Sequence, residues 1–171
     1  KIYLGLGGSI SNDGGIGILQ AMGAKFYLDE QEVDFYKNIF SDFNRCDLTD
    51  VLNKVKDVQI IGLCDVNNPL LGKNGASFVY GPQKGGDVET LATLDLILTK
   101  LSKCFSIDSN YPGSGAAGGI GYCLRLVGGT LQSGIKSIID ELRIEEQLNE
   151  ETIIITGEGA LDQTSFQGKI V

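Results

Sequence analysis

The chain predicts an α/β domain with a largely parallel sheet flanked by helices, on three observations. Apolar runs at residues 2–6 (IYLGL), 58–64 (VQIIGLC) and 152–156 (TIIIT) have the length and continuity of strands buried on both faces. Between them lie stretches with apolar residues at helical spacing. Each run ends in a polar or glycine-rich loop, as expected where a parallel strand turns toward a helix.

The elements follow in order. After the first strand, LGLGGSISNDGG places five glycines in twelve residues, and Asn12 or Asp13 can cap a helix carrying Ile16, Leu19 and Met22. Gly23 ends that helix. Residues 25–46 are polar and aromatic and read as an irregular or hairpin segment. Leu48, Val51, Leu52 and Val55 predict a short helix over 47–56. The second strand, 58–64, opens at Asp65 into DVNNPLLGKNG, and a short helix follows at 76–80. Residues 87–101 have the clearest helical period, with Val88, Leu91, Leu94, Leu98 and Leu101 on one face. PGSGAAGGIG leads into a helix at 116–127. Further helices are expected at 133–142 and 143–148, before the third strand at 152–156 and the loop GEGALDQTSFQGK. The whole reads as one α/β domain, 1–171, excised from or inserted in a larger chain.

Composition narrows the function. The chain is 42% hydrophobic and 21% charged, which suits a soluble globular domain with a substantial core. Its formal charge of −8 lacks the basic footprint of a nucleic-acid binder. No apolar run approaches the ~20 residues of a membrane span. The four cysteines, Cys46, Cys64, Cys104 and Cys123, are scattered without a CxxC pair, so reduced thiols in a cytoplasmic protein are the expectation. Histidine is absent, which removes Ser–His–Asp and Cys–His catalysis and imidazole metal ligands.

What remains is chemistry built on glycine loops and carboxylates. Of the 24 glycines, 19 gather in four clusters, 5–17, 72–86, 113–121 and 157–168. Glycine lets backbone N–H groups approach an anion, and a helix N-terminus favours negative charge there. The same residues would also serve tight turns and close packing. The strand-end loops should share one cleft, because ligands of open α/β sheets bind at the carboxyl ends of strands. Asp65, directly after a strand, suits a metal ligand or a proton acceptor, and equally an Asx-turn or cap. Glu158 and Asp162 carry the same alternatives. Lys84 and Lys169 stand beside glycines, where a lysine can neutralise phosphate. GSGAAG at 113–118 is a literal GxGxxG, but it follows SNYP rather than a clear strand. No Walker-type GxxxxGK[ST] and no GxSxG elbow occur.

Four segments together resemble the bacterial glycerate kinase family, which phosphorylates D-glycerate with ATP. They are GLGGSISNDGG, CDVNNPLLGKNGASFVYGPQKGG, PGSGAAGGIGYCL and ITGEGALDQTSFQGK, in the family's order from Gly5 to Lys169. Ile10 and Ser11 stand where the family commonly has Ala and Thr, Tyr80 where it has Phe, and Thr164 where Gln is frequent.

The resemblance implies one domain of a two-domain fold, with the remaining domain of the same chain closing a cleft. It implies ATP, Mg²⁺ and D-glycerate as ligands, no nucleic acid and no membrane, and an isolated fragment with little or no activity. On this reading Gly7, Gly8, Ser9, Asn12 and Asp13 form an anion cradle. Asp65 is the base or Mg²⁺ ligand, Asn68 a polar contact beside it, and Lys84 stabilises phosphate charge. Gly113, Ser114, Gly115 and Gly118 approach a second anionic group, Glu158 and Asp162 are alternatives for the metal or base role, and Lys169 meets phosphate. Two other readings stay open. One is a non-catalytic anion- or nucleotide-binding regulatory domain. The other is a nicotinamide-dependent oxidoreductase, which needs a strand immediately before Gly113.

Overall fold

The computed structural model describes residues 1–37 and 41–155. Two three-stranded sheets organise them. The first strand, β1 (Ile2–Gly5), is followed by helix α1 (Ile16–Ala21). Strands β2 (Lys25–Leu28), β3 (Gln31–Val33) and β4 (Arg45–Asp47) precede helix α2 (Thr49–Val55). Strand β5 (Ile60–Leu63) leads to helices α3 (Ala76–Tyr80) and α4 (Val88–Lys103). Helix α5 (Ala116–Leu126), strand β6 (Thr130–Gln132) and helix α6 (Gly134–Glu141) complete the order.

The parallel sheet has the order β1-β5-β6, with Tyr3 opposite Ile61 and Gly62 opposite Leu131. Side chains alternate across it. Gly62 faces α5: a Cβ there would stand 2.8 Å from both Leu124 and Leu131, and 3.0 Å from Leu6. The neighbouring Leu63 faces α6 instead, sharing a hollow with Tyr3 and Ile138. Helices thus lie on both faces of β5, whereas β1, at the sheet edge, is exposed along its length rather than buried on both faces.

Residues 25–46 hold the hairpin alternative: β3-β2-β4 is an antiparallel sheet. Its aromatics close the core. Phe26, Phe35 and Phe43 meet edge to face with centroids 5.1–5.3 Å apart, all buried. They join Ile16 and Leu19 of α1, Val51 of α2, Leu98 and Leu101 of α4, and Tyr122 of α5 in one cluster.

Three expectations need correction. Strand β6 carries only three residues after Gly128 and Gly129, too few for a period to show. Val88 is 83% exposed, because the first turn of α4 projects beyond the body that buries Leu91, Leu98 and Leu101. The strand expected at 152–156 does not form over 152–155: Ile153, Ile154 and Ile155 are 85%, 69% and 92% exposed. A strand exists by bonding to a neighbour, and these residues pair with none in the described chain; Thr156 lies outside the described residues. No helix among the described residues is long and apolar enough to cross a membrane.

Candidate functional site

Parallel strands deliver their loops to one end of the sheet. Beyond β1 come residues 6–13, beyond β5 Asp65, and beyond β6 Ser133, whose hydroxyl caps α6 by accepting from Lys136 N–H. A hollow of about 200 Å³ lies here. Gly7, Gly8, Ser9, Tyr80, Gln83 and Lys84 line it, with Leu6, Val66 and Ala117 completing the wall.

The loop is held open by its ends. Asp13 accepts from the N–H of Gly15 at 3.0 Å and of Gly17 at 2.9 Å, so Asp13 rather than Asn12 braces the entry to α1, whose N-cap position is Gly15. At the far end Leu6 N–H bonds to Leu63 C=O at 3.0 Å, the last rung of the β1–β5 ladder. Between them, no backbone N–H of residues 7–13 donates to any described residue. A Cβ added to Gly7 or Gly8 meets open space, so these two glycines are not packing glycines.

Lys84 faces this loop. It ends the 3₁₀ turn Pro82–Lys84 after α3, and its ammonium donates to Ser11 C=O at 2.6 Å and to Ser9 Oγ at 3.4 Å. Partial burial holds its pKa below the ordinary lysine value, with Asp13 opposing the shift. An anion in the hollow would meet one half-buried cation and Gly7, Gly8 and Ser9, whose backbone N–H groups engage no described residue.

The third glycine cluster serves packing instead. Ala117, Gly118 and Gly119 adopt left-handed φ values of 52°, 69° and 96° before α5 becomes regular. That turn presses against residues 11–14: Gly14 N–H bonds to Gly118 C=O at 2.9 Å. A Cβ on Gly118 would collide with Ser11 C=O and stand 2.7 Å from Asn12 Cα. Gly115 abuts Pro69 C=O, and Ser114 is fully buried, accepting from Arg125. Gly113, Ser114, Gly115 and Gly118, expected to approach an anion, are all buried among the described residues and do not line the hollow. The segment supports the loop at 7–13 from behind and lends the hollow only Ala117. No strand lies immediately before Gly113, which removes the structural basis of the oxidoreductase reading.

Other expected residues take different places. Asn12 is buried and donates to Ser77 Oγ at 2.9 Å, while its Oδ1 has no partner among the described residues. Its side chain points into the protein rather than into the hollow. Asn68 is fully engaged, accepting from Tyr80 Oη at 2.5 Å and donating to Asn74 C=O at 2.8 Å, and so positions Tyr80. Asp65 Oδ1 accepts from Gly134 N–H at 2.8 Å and Ser133 Oγ at 3.1 Å, which makes it a brace for the start of α6. It stands at the sheet's carboxyl end but does not line the hollow. Among the described residues no three Asp, Glu or Cys side chains converge on a possible metal position. Glu158, Asp162 and Lys169 lie outside the described residues. All four cysteines are free, and burial pushes Cys46 and Cys123 up to about 12, so neither is a ready nucleophile. Tyr80, Val66 and Ala117 are site residues that sequence reasoning missed. Tyr80 lies four residues before Lys84, a spacing that could have flagged it had the intervening turn been read as helical.

Known proteins resemble this chain in sequence and fold. The profile of the glycerate kinase family matches residues 1–171. The glycerate 2-kinase of Escherichia coli K12 is 40% identical over 99% of this chain and 46% of its own length. A glycerate kinase of Bacillus cereus is 38% identical over 98% of this chain and 46% of its own. A crystal structure assigned to glycerate kinase 2 of Salmonella typhimurium LT2 superposes with a TM-score of 0.74 at 34% identity, covering 84% of this chain and 41% of that one. The chain thus spans about half the length of the curated relatives it matches. With its sheet, its strand-end loops and its match over every residue, the chain belongs to the glycerate kinase family.

Proposed function

We propose that this chain forms one wall of the active site of an ATP-dependent D-glycerate kinase, closed by the remaining domain of the same protein. The observation that carries the reading is the loop at 7–13, whose N–H groups engage no described residue and which bends around the half-buried ammonium of Lys84. Oriented backbone N–H groups with one cation suit the phosphate oxygens of a nucleotide.

In the reaction, a hydroxyl oxygen of glycerate bonds to the γ-phosphorus while the bridging P–O bond to ADP breaks. The hydroxyl proton leaves to a carboxylate or to water. Gly7, Gly8 and Ser9 hold phosphate oxygens, and Lys84 offsets the charge that gathers on them. Its lowered pKa reflects incomplete solvation, which a bound phosphate makes good. Mg²⁺ would supply further neutralisation, held chiefly by the phosphates, since Asp65 is the one acidic side chain directly after a described parallel strand. Its Oδ2 is free of the bonds that engage Oδ1.

The experiment is turnover by the full protein, following ADP formation with D-glycerate and resolving the 2- and 3-phosphate products. Lys84→Met should lower kcat/KM at least a hundredfold, in the range of a lost charge-stabilising group. Unchanged kcat/KM removes Lys84 from the mechanism. Tight ATP binding with no turnover by the wild-type protein selects the regulatory reading instead.

A further inference from the structure

A second hollow, of about 300 Å³, lies on the other side of Val66 from the cradle. Val66 lines both, so the two spaces meet across one side chain. Their chemistry differs. The first has Lys84 and the glycine loop, and the second has the ring of Tyr111 with Pro112 and Leu131. Tyr111 is 42% exposed, and the Arg125 guanidinium lies 3.9 Å from its ring centroid. Arg125 is itself held by a 2.6 Å bond to Asp108 C=O, so the ring has a fixed neighbour. Two amides stand at the rim, Asn67 and Gln132. The Asn67 side chain bonds to no described residue, and Gln132 uses only its oxygen, accepting from Ser137 at 3.4 Å. Gly113 permits the arrangement: its φ is +85°, and a Cβ would stand 3.0 Å from Cys64 Sγ and 3.1 Å from Leu131.

An anion cradle set beside a hollow with an aromatic wall and two adaptable amides, with Val66 between them, fits a ligand that is charged at one end and flat at the other. We propose that the nucleoside part of the phosphoryl donor occupies the Tyr111–Leu131 hollow while its phosphates lie in the cradle. The inference rests on the reading of the cradle as a phosphate site. Tyr111 supplies stacking area, which any nucleobase can use. Asn67 and Gln132 can each donate to and accept from a base edge.

The test compares ADP with inorganic pyrophosphate in titration calorimetry on the full protein. The wild type should bind ADP more tightly than pyrophosphate. Tyr111→Ala should weaken ADP about tenfold, as loss of one stacked base does, and leave pyrophosphate within twofold. Tyr111→Phe, which keeps the ring, should restore ADP affinity, and thermal melts confirm that each variant is folded. Equal weakening of both ligands by Tyr111→Ala, or no effect on ADP, overturns the inference. Wild-type protein that binds pyrophosphate as tightly as ADP also overturns it and leaves the cradle standing. Failure to bind either ligand overturns the cradle reading itself.

Discussion

Replacing Gly7, Gly8 and Gly118 by alanine, one at a time, separates glycines kept for backbone shape from those kept for space. Gly7 has no positive φ and open surroundings, so Gly7→Ala should change stability by less than about 0.5 kcal/mol. Gly8 has φ +67° and open surroundings, leaving only the left-handed penalty, about 1 kcal/mol. Gly118 combines φ +69° with a collision against Ser11 C=O and a 2.7 Å approach to Asn12 Cα. Both obstacles are backbone, so neither can rotate away. Overpacking of this kind adds about 1–3 kcal/mol, and strain on the Gly14–Gly118 hydrogen bond adds about 1 kcal/mol more. Gly118→Ala should therefore cost about 3–5 kcal/mol. Urea unfolding followed by circular dichroism measures all three, provided the m-value stays constant. A Gly118→Ala cost equal to that of Gly8→Ala would refute the claim that the third glycine cluster is a packing device. A large cost at Gly7 would refute the open geometry of the first.

Three further outcomes follow from the structure. Anion binding favours charged Lys84, so pyrophosphate affinity should hold at neutral pH and fall as pH rises through the lysine's lowered pKa, below the usual 10.5; affinity that is flat to pH 10.5 in titration calorimetry contradicts this. Asp65→Asn keeps an acceptor for Gly134 N–H and should barely move Tm, yet lower kcat by at least a hundredfold, whereas Asp65→Ala should cost about 1 kcal/mol as a lost hydrogen-bond acceptor; near-normal turnover of Asp65→Asn makes the residue purely structural. Ile154→Asp in the 171-residue chain should leave Tm within a degree or two, because Ile154 is 69% exposed; a large drop would mean that the segment packs against the body.

Much of this was legible in the sequence because it is local. The β1 and β5 runs, the Asp87-capped helix α4 and the glycine loop at 7–13 each follow from a few adjacent residues. Lys84 was legible for the same reason, as a lone cation between glycines. Tertiary contacts decided the rest. Residues 25–46 read as an irregular or hairpin segment, and only the folded hairpin shows that Phe26, Phe35 and Phe43 bring their rings together. Residues 152–155 have the strongest strand composition in the chain, and composition cannot supply a partner strand. The GSGAAG cluster resembles a phosphate loop, and what turns it inward is the Ser11–Gly14 backbone more than a hundred positions earlier. Asp65 was read correctly as standing at a strand end, but its hold on α6 depends on Gly134, which no local pattern pairs with it.

The central claim is that the backbone N–H groups of residues 7–13, with Lys84, receive a phosphate. Amide ¹H–¹⁵N shifts of the full protein, followed during titration with a non-hydrolysable ATP analogue, address it most directly. The account predicts that Gly7, Gly8 and Ser9 shift most, along a saturable curve that Lys84→Met abolishes. Saturable binding that leaves these three amides unmoved would contradict it.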